Sequence, residues 1–481
     1  TAAAAQDDGE PVVLDPVTVE GDPGVVTEDT GSYTSGSATV GYKQPVDLRD
    51  VPQSITVITR ERLDDANANS LEEAANLIPN VSEATGNLFS GSLYARGHEV
   101  FTYNVDGAPR PFLSLYGTAP DMVFFDRVEV LSGPSGVFQG SGEPVGTINL
   151  VRKRPKQSFG AQAAGEVGTY DSYRGELDVT APFTEEGGVR GRAIGFAETQ
   201  GSFVDFVEQD SGGGYGTMEF DIGDATTLSV GGIAEGEDTV SFSGLPTYTD
   251  GGLIDVARDT YIGADWNSRE LSSIEGFAEL EHEFDFGGVF KLNSRTYDRS
   301  ADIKALLGST GVDRATGTFD AFTFAREFEE QTSYIDANMT APFTFLGRSS
   351  EVTFGADYRF TDQETRQNFD FSAGTRNFFS FDPTAIPEPT ITFPGVGPGF
   401  RLNTETETDE VGIYGYSRLQ VLDGLNLTLG GRFAIYDSET RDTGRGVTTS
   451  EISENRFVPL AGLSYDVTRQ VTAYTSYSEI F

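Results

Sequence analysis

Around Asp423-Gly424 two long runs of alternating character face each other. Before the turn, Val411, Ile413, Leu419 and Val421 share a face with Gly415 and Ser417. After it, Leu425, Leu427, Leu429, Phe433 and Ile435 share a face with Gly431, while Asn426, Thr428 and Arg432 point the other way. A period of two marks a strand between unlike surroundings, and a two-residue Asp-Gly link between two such runs marks a hairpin. The device recurs at Glu185–Gly188, Gly223-Asp224, Gly287-Gly288, near Gly347 and near Thr468. With an opening strand near 158–168, the region from 156 onward predicts 13 strands joined by six short turns. The other connections are long and polar, notably 237–270, 300–331, 363–407 and 437–456. Strands of about 10–13 residues exceed the usual ~5–6. Long strands, short turns at one end and long loops at the other predict a transmembrane β-barrel over 156–481 rather than a soluble sandwich. No run of about 18 apolar residues exists for a helical span, which leaves a barrel open.

The texture before residue 156 is different. Residues 46–155 read as a compact α+β unit: Ser54–Thr59 alternates as a strand, and Ser70-Leu-Glu-Glu73 is a capping box. Leu71, Ala74, Ala75 and Ile78 lie on one helical face that Pro79 ends, and strand-like Tyr103–Asp106, Arg127–Leu131 and Thr147–Val151 follow. Residues 1–45 are poor in bulky apolar side chains and read as a flexible arm, interrupted by the strand-prone island Leu14–Gly21. The opening Thr1–Asp8 resembles the small-residue end of a secretory signal.

Composition narrows the chemistry. Lys and Arg number 33 against 75 Asp and Glu, a formal charge of −42 that argues against nucleic-acid binding and suits large solvated loops. Cysteine is absent and only His98 and His282 are present, so thiolate and histidine metal sites and nucleophilic triads lack material. The acidic pairs Glu185-Glu186 and Glu329-Glu330 fall in expected turns or loops, where solvation is the default, and no enzyme constellation emerges. His98 beside Arg96 reads as a satisfied structural residue rather than a ligand.

Gly140-Ser-Gly142, Gly146 and the basic run Arg152–Arg154 pass at first sight for a phosphate cradle. The third glycine of a dinucleotide fingerprint is replaced by Val145, and the β-prone Thr147–Val151 follows where a helix N-terminus is needed. Glycines here instead permit positive φ in a tight turn.

Asp126–Pro134, Gly140–Gly142 and Ile148–Pro155 resemble the plug signature of TonB-dependent outer-membrane receptors. Arg96-Gly97 and Tyr103–Gly107 match that plug's central strands, and Gly31–Tyr33, Asp50–Ile58 and Leu71–Pro79 are similar to the ferric-siderophore branch. Gly430–Arg432 and Tyr474–Tyr477 extend a weaker resemblance through the barrel, and Ser132 departs from the basic residue usual at its position. The resemblance implies an N-terminal α+β plug filling a membrane β-barrel of about 22 strands, of which ~13 are present here, with on the order of 225 residues beyond Phe481. Only some 45 residues precede the plug, so an additional signalling domain is not expected.

It also implies a function: import of ferric siderophores, the hydroxamate type among them, across the outer membrane of a Gram-negative bacterium. TonB, energised with ExbB and ExbD, would drive it. Iron would travel as its chelate, with outer-membrane lipid around the barrel, no protein cofactor or metal site and no nucleic acid. Cobalamin, haem, a nickel chelate or an oligosaccharide is the alternative cargo, and a passive porin or adhesin the alternative class. The island places the TonB box at Asp15, Pro16, Val17, Thr18 and Val19, because an extended segment adds to a partner sheet through its backbone. Arg110, Phe112 and Tyr116, between plug strands, and Phe89 in the Gly86–Gly91 loop are the candidate ligand contacts, a cation and aromatic faces for a bulky chelate. Trp266 and Phe378–Phe381 are further loop aromatics within reach of it. Arg96, Glu129, Arg152 and Arg154 are expected to hold the plug against the barrel wall through polar contacts that break when it moves.

Overall fold

The computed structural model describes residues 26–85, 91–111, 119–142, 144, 146–240, 242–390, 393 and 402–480. Thirteen antiparallel strands form one large sheet in sequential order. They are β1 Gly160–Val167, β2 Tyr173–Pro182, β3 Val189–Gly201, β4 Glu208–Asp221, β5 Thr226–Thr239, β6 Ser268–Glu283 and β7 Val289–Gly308. β8 Thr318–Phe345, β9 Arg348–Asn377, β10 Leu402–Leu422, β11 Leu425–Asp442, β12 Val447–Asp466 and β13 Thr472–Ser478 complete it. All six short turns fall where alternation placed them, and Gly424 at the Asp-Gly turn has φ 71°.

Alternation sorts the two faces. Ile274, Ile335, Phe354, Ile413, Leu429 and Phe433 are exposed on the outer face, the apolar band a membrane barrel presents to lipid. Thr428 and Arg432, of opposite parity to Leu429 and Phe433, are buried on the inner one.

The expected long loops 300–331 and 437–456 are largely strand, and the first third of the one expected over 363–407 continues β9: β8 has 28 residues and β9 has 30. These polar segments pair in register, Gln331 opposite Asp362 and Thr332 opposite Thr361, whose hydroxyls lie 3.2 Å apart. Where neither face needs to be apolar, ladder hydrogen bonds and cross-strand threonine and charge pairs carry a strand without hydrophobic contrast. Glu330 is accordingly no solvated loop residue; it is buried and pairs with Arg299 at 3.0 Å.

A second, five-stranded sheet runs in the order Ser54–Thr59, Phe125–Ser132, Gly146–Arg152, Thr102–Val105, Ala108–Pro111. Its one parallel pairing sets Ile148 beside Tyr103. Helix Leu71–Ala75 starts at the expected capping box, Ser70 Oγ accepting from the Glu73 N–H and Glu73 accepting from the Ser70 N–H, each at 3.1 Å. Helix Arg60–Asp65 was not foreseen. Ile58, Leu63, Leu71, Phe124, Val128 and Leu150 form the core of this unit, and the same cluster takes in Ile194, Tyr215, Ile233 and Phe277 from the large sheet. The small unit thus sits as a plug on the concave face of the barrel wall.

The flexible arm expected over 1–45 is corrected for 26–45. Ala38, Val40 and Tyr42 are buried, and Ser37–Ala38 pairs with Val46–Asp47. The Thr27 N–H donates to Asp126 Oδ1 at 2.9 Å, and the Thr39 and Val40 N–H groups donate to Glu129 Oε2 at 3.0 and 2.7 Å. Buried carboxylates that need donors draw this polar segment onto the plug.

Candidate functional site

The glycine stretch is a point of close approach. Gly140 and Gly142 both have positive φ, 82° and 152°. A Cβ on Gly140 would lie 2.9 Å from Arg432 Nε, on the barrel wall. Arg432 is held bidentately by Asp357 at 2.5 and 2.6 Å, and next to the glycine Ser141 donates to Glu410 of β10 at 2.9 Å. The loop is a plug–wall contact, as its strand context argued against a nucleotide.

Glu129, expected at the plug–barrel boundary, instead lies wholly inside the plug. Besides the two backbone donors it accepts from Arg127 Nε at 2.8 Å and Asn149 Nδ2 at 3.2 Å. Its place mid-strand between Ser54–Thr59 and Gly146–Arg152 turns it away from the wall. Arg96 is also corrected: it sits exposed in a turn at φ 52°, and among the described residues it has no ion pair to the barrel.

Arg152 and Arg154 do reach the wall. Arg152 meets Glu279 of β6 at 2.6 Å and also Asp106 of the plug. Arg154 meets Glu219 of β4 at 3.2 Å and Glu279 at 3.3 Å. Arg295 of β7 joins them, 2.8 Å from Glu279, 3.3 Å from Asp106 and 3.1 Å from Glu275. Burial alone would raise the Asp106 carboxyl, but Arg152 and Arg295 beside it hold it well below the usual range.

Arg110 is buried rather than presented outward. Its guanidinium stacks 3.7 Å over the Tyr297 ring and meets Glu275 at 3.2 Å. Phe89, Phe112, Tyr116 and the box at Asp15–Val19 lie outside the described residues. Trp266 and Phe378 pack a layer of loops, the Trp266 indole donating to the Ile386 carbonyl at 3.0 Å, whereas Phe379 is exposed.

Among the described residues, cavities open on either side of the plug. One, of about 500 Å³, lies toward the long connections and is lined by Glu72, Asp121, Glu235, Glu237, Arg269, Tyr297 and Arg299 among others. Burial pushes Glu72 up to about 7 and Asp121 up to about 6, the latter against the pull of Arg174 at 2.9 Å. The other, of about 1340 Å³, opens toward the short turns, with Lys43, Asp106, Arg154, Glu219, Glu279 and Lys291 on its walls. Among the described residues no cluster of His, Cys, Asp and Glu is arranged to hold a metal.

A plug unit seated against a wall of long membrane strands, with polar cavities on both sides of it, is the arrangement of one protein class. Residues 47–147 match the TonB-dependent Receptor Plug Domain, and residues 234–481 match the TonB dependent receptor-like β-barrel. The chain belongs to the TonB-dependent receptors, proteins of the outer membrane of Gram-negative bacteria. It is 34% identical over 473 residues to the ferripyoverdine receptor of Pseudomonas aeruginosa, covering 95% of this chain and 56% of that one. The ferric-pyoverdine receptor PbuA of Pseudomonas sp. strain M114 is 31% identical, over 95% of this chain and 57% of its own. The crystal structure of the P. aeruginosa outer-membrane receptor bound to ferripyoverdine superposes with a TM-score of 0.85 at 31% identity, over 95% of this chain and 60% of that chain. This chain therefore spans little more than half the length of those relatives.

Sequence reasoning missed Asp106, Glu275, Glu279 and Arg295, and the cavity residues Glu72, Asp121, Tyr297 and Arg299. A partial signal was present: Arg295, Tyr297 and Arg299 occupy the inward parity of β7, where large polar residues need partners inside the lumen.

Proposed function

We propose that this chain is the plug and part of the barrel of a receptor that imports ferric siderophores, driven by TonB with ExbB and ExbD. The observation that carries this reading is the likeness, over 95% of the chain, to a receptor named for ferripyoverdine. The names of the relatives favour a pyoverdine-class chelate over a simple hydroxamate. The outward cavity, with Arg269, Arg299 and Tyr297 beside carboxylates, offers donors, acceptors and a ring face to a polar chelate whose iron is already coordinated. The box at Asp15–Val19 supplies the backbone edge that TonB would pair with.

The test is uptake of labelled ferric pyoverdine and ferric hydroxamates by cells whose only such receptor is this one. The reading expects ferric pyoverdine to enter and hydroxamates to compete poorly. Val17→Pro, which removes a backbone donor from the box, is expected to abolish uptake while cell-surface binding persists. Uptake unchanged by Val17→Pro would mean that the box lies elsewhere.

A further inference from the structure

We propose that the two lumen cavities are stations of one conduit, closed by a charged septum on β6 and β7 that opens without unfolding of the plug. The inference rests on the import reading above. The inward residues of β7 divide cleanly: Lys291 and Asn293 line the turn-end cavity, Tyr297 and Arg299 line the loop-end cavity, and Arg295 between them lines neither. β6 divides likewise, with Glu279 and Glu281 on one side, Leu271 and Ser273 on the other, and Glu275 and Phe277 between. At ~3.3 Å per residue, only about 13 Å of strand separates Asn293 from Tyr297.

Along β3–β7 the septum has two unlike sectors. On β3, β4 and β5, Ile194, Tyr215 and Ile233 belong to one apolar cluster with plug Phe124. Parting that sector would expose apolar surface at about 25 cal/mol per Å². On β6 and β7, Phe277 apart, the contact is ionic and balanced: Arg110, Arg152 and Arg295 against Asp106, Glu275 and Glu279. Asp106 and Glu279 line the turn-end cavity, so water there replaces their partners as the sector parts. The pairing is also incomplete, since Arg110 Nε and Arg152 Nη1 lack a hydrogen-bond acceptor. Asp106 and Arg110 ride on the hairpin Thr102–Pro111, whose second strand is, among the described residues, an edge of the plug sheet paired with the first. Of these two sectors the charged one therefore yields first, and the cargo's way runs along β6 and β7.

The proposal is tested by planar-bilayer conductance of the full-length receptor without TonB, together with leakage of a hydrophilic chromogenic β-lactam into porin-deficient cells lacking TonB. Arg295→Ala combined with Glu279→Ala should raise conductance by an order of magnitude and admit the β-lactam. Ile194→Ala, in the apolar sector, should stay as tight as the parent. Should the double variant fail to assemble, Glu275→Gln, which cuts the link between Arg110 and Arg295 at nearly constant volume, should give a smaller but measurable rise. Assembled charged variants as tight as the parent, or equal leakage through Ile194→Ala, would overturn the proposal. Binding of ferric pyoverdine is measured on the same preparations: a septum that opens in a receptor binding no ferric chelate removes the import reading and leaves the septum standing.

Discussion

Glu129 is fully buried and yet satisfied by five donors, the Thr39 and Val40 N–H groups, the Thr39 hydroxyl, Arg127 and Asn149. Removing its carboxylate strands buried donors, each at about 1–3 kcal/mol, although Asp126 keeps Arg127 paired at 2.8 Å. Glu129→Ala should therefore release residues 26–45, seen as faster amide hydrogen exchange at Thr39 and Val40 and a lower unfolding midpoint. Protection equal to the parent's would show that the segment is held by other contacts. Glu72 is predicted to give a pH signature. Its folded pKa, raised by burial to about 7, lies above the value of a free glutamate, so its stabilising contribution is complete below about 4.5 and is lost as pH rises through 7. Glu72→Gln should flatten the pH dependence of the unfolding midpoint between those values; an unaltered slope would contradict the assignment. The residue chemistry was legible in the sequence where it depended on local spacing, as for the Ser70 and Glu73 cap. Arg152 and Arg154 announced themselves as charges inside a plug needing partners. Glu129 and Arg110 were misplaced because their partners, Thr39 and Val40 or Glu275 and Tyr297, lie far away in sequence, and only the folded register brings them together.

At the scale of elements, Gly146 begins the plug strand Gly146–Arg152 at φ 143°, and a Cβ there would fall 2.2 Å from the Leu131 carbonyl oxygen. Gly146→Ala combines backbone strain of about 1–3 kcal/mol with a backbone clash, so it should loosen the pairing with Phe125–Ser132. Faster proteolysis of the plug in an otherwise heat-resistant barrel is the expected readout, and parental resistance would contradict it. Barrel hairpins were readable because membrane strands must alternate between lipid and lumen, an unusually strong imprint on sequence. The imprint fades where β8, β9, β11 and β12 run beyond the apolar band into surroundings polar on both faces, and there the pattern reads as loop. Helix Arg60–Asp65, at six residues, is too short for its periodicity to register.

At the scale of the whole molecule, a plug that shares one apolar cluster with the barrel wall on β3–β6 and ion pairs on β6 and β7 is anchored on one side and releasable on the other. Such a cork blocks passive flow and needs work to move. On the proposed reading, TonB with its energising partners supplies that work. The most direct test is accumulation of radio-iron from ferric pyoverdine in cells producing this receptor alone, with TonB present and with TonB deleted. The account predicts saturable accumulation with TonB, and surface binding without accumulation when TonB is absent. Accumulation at equal rates in both strains would contradict it.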